Sequence, residues 1–128
     1  NEKFKSENDS RSWLTKDEAV RRAFDADEYC NFKFTLSALK DLVTLNRVAN
    51  SKAFYDNLAK SMRVLMVSGK DDPVGNYGKG VTQVYDKIRK KGINVDLKLY
   101  ENCRHEILND DSYDEVVKDI LEFIKVRR

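Results

Sequence analysis

Histidine occurs once in these 128 residues and cysteine twice, and both scarcities exclude chemistry. Cys30 and Cys103 are too few for a disulfide framework, and neither sits in a CxxC or Cys/His array of the kind that holds zinc. The run His105-Glu106-Ile-Leu-Asn-Asp110-Asp111 lacks the second histidine of an H-E-x-x-H helix, so no metal site is expected. No Gly-Lys-Ser/Thr loop and no helix-opening G-x-G-x-x-G is present, and no nucleotide cofactor is expected; Gly78-Lys-Gly80 instead allows a close helix–loop approach. No serine or cysteine occupies a G-x-S-x-G elbow. No apolar run approaches the ~20 residues of a membrane span, and the polar residues 1–12 do not read as a signal peptide. Neither sign of charge dominates: 24 basic and 22 acidic residues leave a net +2. The balance repeats within residues 1–60 and 61–128, so no basic face is forced and no nucleic-acid partner is expected.

What is present suits one compact domain or a piece of one, with 41% hydrophobic residues to build a core. Residues 1–12 (NEKFKSENDSRS) read as a loop or a poorly ordered arm, Phe4 being their only large apolar side chain. Thr15 and Glu18 have capping-box spacing with Leu14 as a staple, which predicts a helix over 16–26 with Ala19, Val20 and Ala23 on one side. Residues 27–34 read as a connecting loop with an aromatic cluster anchored on a hydrophobic surface. Thr35 can cap a helix over 36–48 striped by Leu36, Leu39, Leu42 or Val43, and Val48. Asn50-Ser51 interrupts it before a short turn through Phe54, Tyr55 and Leu58.

After residue 60 the texture changes. Arg63–Ser68 is a short β-branched run ended by Gly69-Lys-Asp-Asp-Pro-Val-Gly75, which predicts a parallel strand buried on both faces. A helix over 77–90 follows, with Val81, Val84, Tyr85 and Ile88 on one face, a basic last turn and a stop at Gly92. Val95–Tyr100 alternates strictly, as a strand nearer an edge does. Ser112 and Glu115 give a second capping box before a helix to about 126. The order is a right-handed βαβα unit, and both helices are expected on one face of the sheet. Two strands alone do not make a stable parallel sheet, so further strands are expected from elsewhere.

His105 follows the second strand, while Asp71 and Asp72 follow the first. Parallel strands bring both loops to one end of the sheet, where open α/β sheets place reactive groups. A carboxylate that fixes the tautomer of an imidazole leaves the other ring nitrogen to act as general base. The competing reading is a plain Gly-x-Asp-Asp-Pro turn closed by an aspartate. Cys103 is too close along the loop to be aimed at His105, and Ser68 lies within the strand's last turn.

The stretches Val64–Val81 and Val95–Asn109, with the Arg-His-Glu at 104–106, resemble the C-terminal third of an α/β-hydrolase. More narrowly they resemble the monoacylglycerol lipase and lysophospholipase group, also called the serine aminopeptidase-like hydrolases. That resemblance implies that Asp72 is the triad acid, with Asp71 only its neighbour, and that His105 is the triad histidine. Trp13–Glu18 and Cys30–Thr35 are similar to the helical cap of that group. It implies the latter part of a cap over 1–50 and the C-terminal part of the core over 51–128, the two strands being the seventh and eighth of the sheet.

The group's nucleophilic serine and oxyanion-hole loop precede the acid and are not in this sequence, which starts with Asn1 rather than Met. The chain is therefore expected to be a C-terminal fragment whose partner is the N-terminal half of the same protein. The substrate implied is a monoacylglycerol, lysophospholipid or related small lipid ester, and the location cytoplasmic or membrane-peripheral. Trp13, Phe24, Tyr29, Phe32 and Phe34 are either an apolar acyl or alcohol pocket or simply the means by which the cap is held to the core. Two alternatives remain at this point. One is a non-catalytic α/β module that forms a homo-oligomer or binds a partner through an exposed strand edge. The other is a small stand-alone enzyme with Cys103 or Asp72 as nucleophile.

Overall fold

The computed structural model describes residues 2–30 and 32–125. Asn1, Asn31 and residues 126–128, which include the expected helix end near 126, lie outside the described residues. A 3-10 turn spans Glu2–Glu7. Three helices follow: α1 (Glu18–Ala26), α2 (Leu36–Ala49) and α3 (Lys52–Asp56). The second part is strand β1 (Arg63–Gly69), helix α4 (Lys79–Lys90), strand β2 (Asn94–Tyr100) and helix α5 (Tyr113–Lys125), with a 3-10 turn at Ile107–Asn109. β1 and β2 pair in parallel from Arg63↔Asn94 to Gly69↔Tyr100. The result is a partial α/β sheet of two parallel strands flanked by helices, in the βαβα order expected from the sequence.

The strands put alternate side chains on opposite faces, and both faces are used. Val64, Met66 and Val95 pack with Tyr55, Val84, Tyr85 and Ile88, so α3 and α4 cover one face. Val67 and Tyr100 pack with Cys103, Val116 and Ile120, so α5 covers the other. The expectation of both helices on one face is thus corrected. The apolar run of β1 points both ways, and the chain after β2 crosses the strand ends before α5 descends on the opposite side. β1 is also less buried than expected: only Ser68 and Gly69 are buried, the rest being partly buried. α4 starts at Lys79 rather than 77 because Asn76, Tyr77 and Gly78 all have positive φ (51°, 55° and 80°). Gly92, at φ 75°, ends the turn after α4 as expected.

The first fifty residues hold the other corrections. Residues 2–12, read as a loose arm, are tied down: Phe4 and Ser12 are buried, as are Leu14 and Thr15 after them. α1 is capped by Asp17, whose carboxylate accepts from the N–H groups of Ala19 and Val20. Thr15 lies before the helix rather than capping it: its hydroxyl oxygen accepts from Asp17 N–H (3.0 Å) and faces Asn109 O (2.6 Å) and Asp110 Oδ1 (2.8 Å). The buried side chain of α1 is Arg21, while Ala19 and Ala23 are exposed. Arg21 bonds Asp9 (2.6 Å) and the carbonyls of Thr15 and Lys16. Thr35 caps α2 through its hydroxyl, as the sequence predicts, and Ser51, read from the sequence only as part of an interruption, caps α3 in the same way. No residue of α2 is buried, and its apolar stripe from Leu36 to Val48 faces outward.

Candidate active site

β1 and β2 end side by side, and the pairing continues into both loops. Lys70 N–H donates to Tyr100 O and Asp71 N–H to Cys103 O, each at 2.9 Å. Gly69 makes this approach possible, since a Cβ there would lie 2.0 Å from Arg104 O and 2.3 Å from Cys103 O. The chain then turns at Asp72: its N–H donates to Gly69 O, its Oδ1 accepts from Val74 N (2.8 Å), and its carbonyl accepts from Tyr77 N (2.8 Å). The left-handed residues 76–78 belong to this turn. Its remaining oxygen, Oδ2, accepts from Nδ1 of His105 at 3.1 Å.

Burial separates the two roles. The Asp72 side chain is 8% exposed and that of His105 38%. Among the described residues no group is hydrogen-bonded to Nε2 of His105, so one ring nitrogen is held and the other is left without a partner there. That arrangement can fix a tautomer and steady an imidazolium while Nε2 takes or returns a proton. Asp71, one residue earlier, points elsewhere and pairs with Lys3. Gly75 belongs to the same turn, where a Cβ would press Asp72 Oδ2 (3.3 Å) and Ser68 Oγ (3.4 Å).

Cys103 and Ser68 are not brought to the imidazole. Cys103 is fully buried between Tyr100 and Val116, and that burial raises its thiol pKa. The Ser68 hydroxyl is buried and turned to Gly69 O. Of the aromatic set, only Trp13 reaches the site, its ring centroid 5.1 Å from that of His105. Phe24 packs on Arg11, and Phe32 meets Phe34 edge-on. Tyr29, Phe32 and Phe34 are exposed, and none of them joins a buried cluster among the described residues. Among the described residues no group of His, Cys, Asp and Glu is arranged to hold a metal ion, and no helix is long and apolar enough to cross a membrane.

Sequence reasoning missed the residues that fix the His105 loop from its far side. Arg104 is buried, forks onto Glu7 and bonds Ser12 O. The Arg104 hydrogen bonds hold the Glu7 carboxyl below its ordinary pKa. Asp110 accepts from Arg104 N (2.6 Å), Lys16 N (2.8 Å) and the Thr15 hydroxyl (2.8 Å). A local signal existed only for Asp110, a carboxylate one turn beyond the histidine. Glu7 lies 97 positions from its partner and gave none.

Known proteins share this arrangement of elements. The family model described as Serine aminopeptidase, S33 matches residues 2–112. A solved lipase in its open form superposes with a TM-score of 0.84 at 27% identity, covering 93% of this chain and 39% of that one. A highly thermostable carboxyl esterase from Bacillus coagulans, solved in complex with glycerol, matches with a TM-score of 0.80 at 30% identity, covering 88% and 37%. An uncharacterized abhydrolase domain-containing protein of Dictyostelium discoideum is 30% identical over 115 residues, 89% of this chain. The chain spans 12% of that relative's length.

Proposed function

Because the chain belongs to the serine aminopeptidase S33 family of α/β-hydrolases, we propose that it supplies the acid and the base of a serine hydrolase that cleaves carboxylic esters. Asp72 orients His105 and steadies its positive charge. His105 Nε2 takes the proton of a serine as that serine attacks the ester carbonyl, then returns it to the leaving alcohol. The observation that carries this reading is the 3.1 Å contact of Asp72 Oδ2 with Nδ1 of His105, at the ends of two parallel strands.

The serine and the oxyanion donors come, in this reading, from the N-terminal half of the same protein. Residues 1–50 are then the returning part of a helical cap and 51–128 the end of the core. The substrate is a small lipid ester, a lysophospholipid or a monoacylglycerol, whose acyl or alcohol group meets the cap. The exposed aromatic and aliphatic side chains of residues 29–48 support that choice of an apolar substrate. A second reading, a module that self-associates or binds a partner through its strand edge, is favoured by one observation: among the described residues β1 pairs with β2 alone. Light scattering tests it, a monomer at ~100 μM speaking against it.

The deciding experiment is hydrolysis of p-nitrophenyl butyrate by the protein that carries this chain together with the serine-bearing half. His105→Ala and Asp72→Asn are each expected to lower kcat by about 10³–10⁴ while leaving the fold intact. Unchanged turnover in either variant refutes the assignment. Turnover by residues 1–128 alone, lost in His105→Ala, refutes the placing of the nucleophile outside the chain.

A further inference from the structure

His105 is gripped from two sides, and the second grip has no part in the acid–base pair. Residues 2–16 form a strap across the loop that carries it. Arg104, next to His105, holds the strap at Glu7 and Ser12 and lies 4.3 Å above the Phe4 ring. Asp110, five residues beyond His105, holds it at Thr15 and Lys16. Between these two fastenings the backbones meet directly: Glu106 N–H donates to Leu14 O (2.8 Å) and His105 N–H to Trp13 O (3.4 Å). Trp13 is thereby fixed with its indole 5.1 Å from the imidazole, the two planes inclined at 47°.

The geometry of the first grip shows what a second can add. A single bond from Nδ1 to Asp72 Oδ2 fixes one point of the ring. Coupled changes of χ1 and χ2 can still pivot the imidazole while that contact is kept, and pivoting swings Nε2, the nitrogen that must meet the reacting proton. With 38% of its side chain exposed, His105 has solvent on one side and the indole on another. The indole is only partly buried and belongs to neither of the two buried core clusters. We propose that Trp13 is a positioning residue for His105. Its indole stops the pivot and sets the direction of Nε2, and the Arg104 and Asp110 fastenings act by holding Trp13 there. The inference rests on the hydrolase reading above for its consequence in turnover, but the restraint itself is a property of the ring.

The test has one arm that needs no activity. His105 is the sole histidine of residues 1–128, so with this segment alone isotope-labelled in the protein that includes the serine-bearing half its three-bond couplings are read without overlap. Trp13→Leu is expected to bring rotamer averaging of the imidazole, and Trp13→Phe to keep a single rotamer. In the other arm, kcat and KM for p-nitrophenyl butyrate are measured on the protein that includes the serine-bearing half. Trp13→Leu is expected to lower kcat about tenfold with KM within about twofold, and Trp13→Phe to restore most of it. A single imidazole rotamer in Trp13→Leu overturns the inference. So does an unchanged kcat, a rise in KM alone, or a Phe variant no better than the Leu variant. If His105→Ala and Asp72→Asn abolish turnover while Trp13→Leu does not lower kcat, only the positioning role fails. If those two variants leave turnover intact while Trp13→Leu frees the ring, the hydrolase reading fails and the restraint on the imidazole stands.

Discussion

Substituting Gly69 by alanine tests how tightly the end of β1 is pressed against the loop that carries His105. The added Cβ would stand 2.0 Å from Arg104 O, 2.3 Å from Cys103 O and 2.7 Å from the Cys103 carbonyl carbon, whereas real Cβ contacts essentially never fall below 3.0 Å. All three atoms are backbone, so no rotamer change relieves the clash, and the loop must retreat by about 1 Å or more. Retreat also stretches the 2.9 Å bond from Asp71 N–H to Cys103 O. Overpacking costs about 1–3 kcal/mol, and a lost buried bond adds about 1 kcal/mol or more. The expected destabilisation is about 3 kcal/mol, a large share of the roughly 5–15 kcal/mol that holds a domain together. At a few degrees per kcal/mol, Tm falls by about 10–15 °C. Gly92→Ala is the control: nothing lies within 4 Å of its Cβ, so only the left-handed backbone (φ 75°) is penalised, by about 1–2 kcal/mol. Urea denaturation of both variants with unchanged m-values decides the matter. If Gly69→Ala proves no more destabilising than Gly92→Ala, the seam opens freely and the reasoning is refuted.

Asp119 is buried under β2, where its carboxylate accepts from the Tyr100 hydroxyl (2.9 Å) and pairs with Lys98. Asp119→Ala strands the phenol without an acceptor and is expected to cost about 2–3 kcal/mol, against about 1 kcal/mol for Tyr100→Phe, by urea denaturation. The Lys98 bond holds the Asp119 carboxyl below its ordinary pKa. Its stabilisation is therefore present above the unfolded value near 3.9 and lost as pH falls through the lower folded value. The cost of Asp119→Ala should shrink on acidification, and a pH-independent cost speaks against the ion pair. Asp56 is exposed, and Lys52 and Lys91 lower its pKa to about 2 through hydrogen bonds. Carboxyl-carbon NMR is expected to give a midpoint near that value at low salt, moving upward as salt screens the pairs. A midpoint near 3.9 at low salt refutes the bonding.

How much was legible followed from how far apart the deciding residues stand. β1, β2, the body of α4 and the cap at Thr35 are written in neighbours within one turn or one pleat, and they lie where the sequence puts them. The meeting of Asp72 with His105, 33 positions apart, was still legible, because parallel pairing carries two strand ends to one place whatever lies between. Thr15 defeated local reading. Its spacing from Glu18 is that of a cap, yet a carboxylate 95 positions on offers its hydroxyl a buried partner, and Asp17 caps the helix instead. The same holds for residues 2–12, whose polarity reads as disorder until Arg104 is present to bind Glu7 and cover Phe4. Both failures share a physical cause. A polar segment on its own keeps its water, and only a buried charge brought from the far end of the chain makes giving up that water favourable. The strap is therefore expected to depend on Arg104 for its order. Arg104→Met should expose residues 2–16 to fast amide exchange while β1 and α4 stay protected, and uniform protection would refute that dependence.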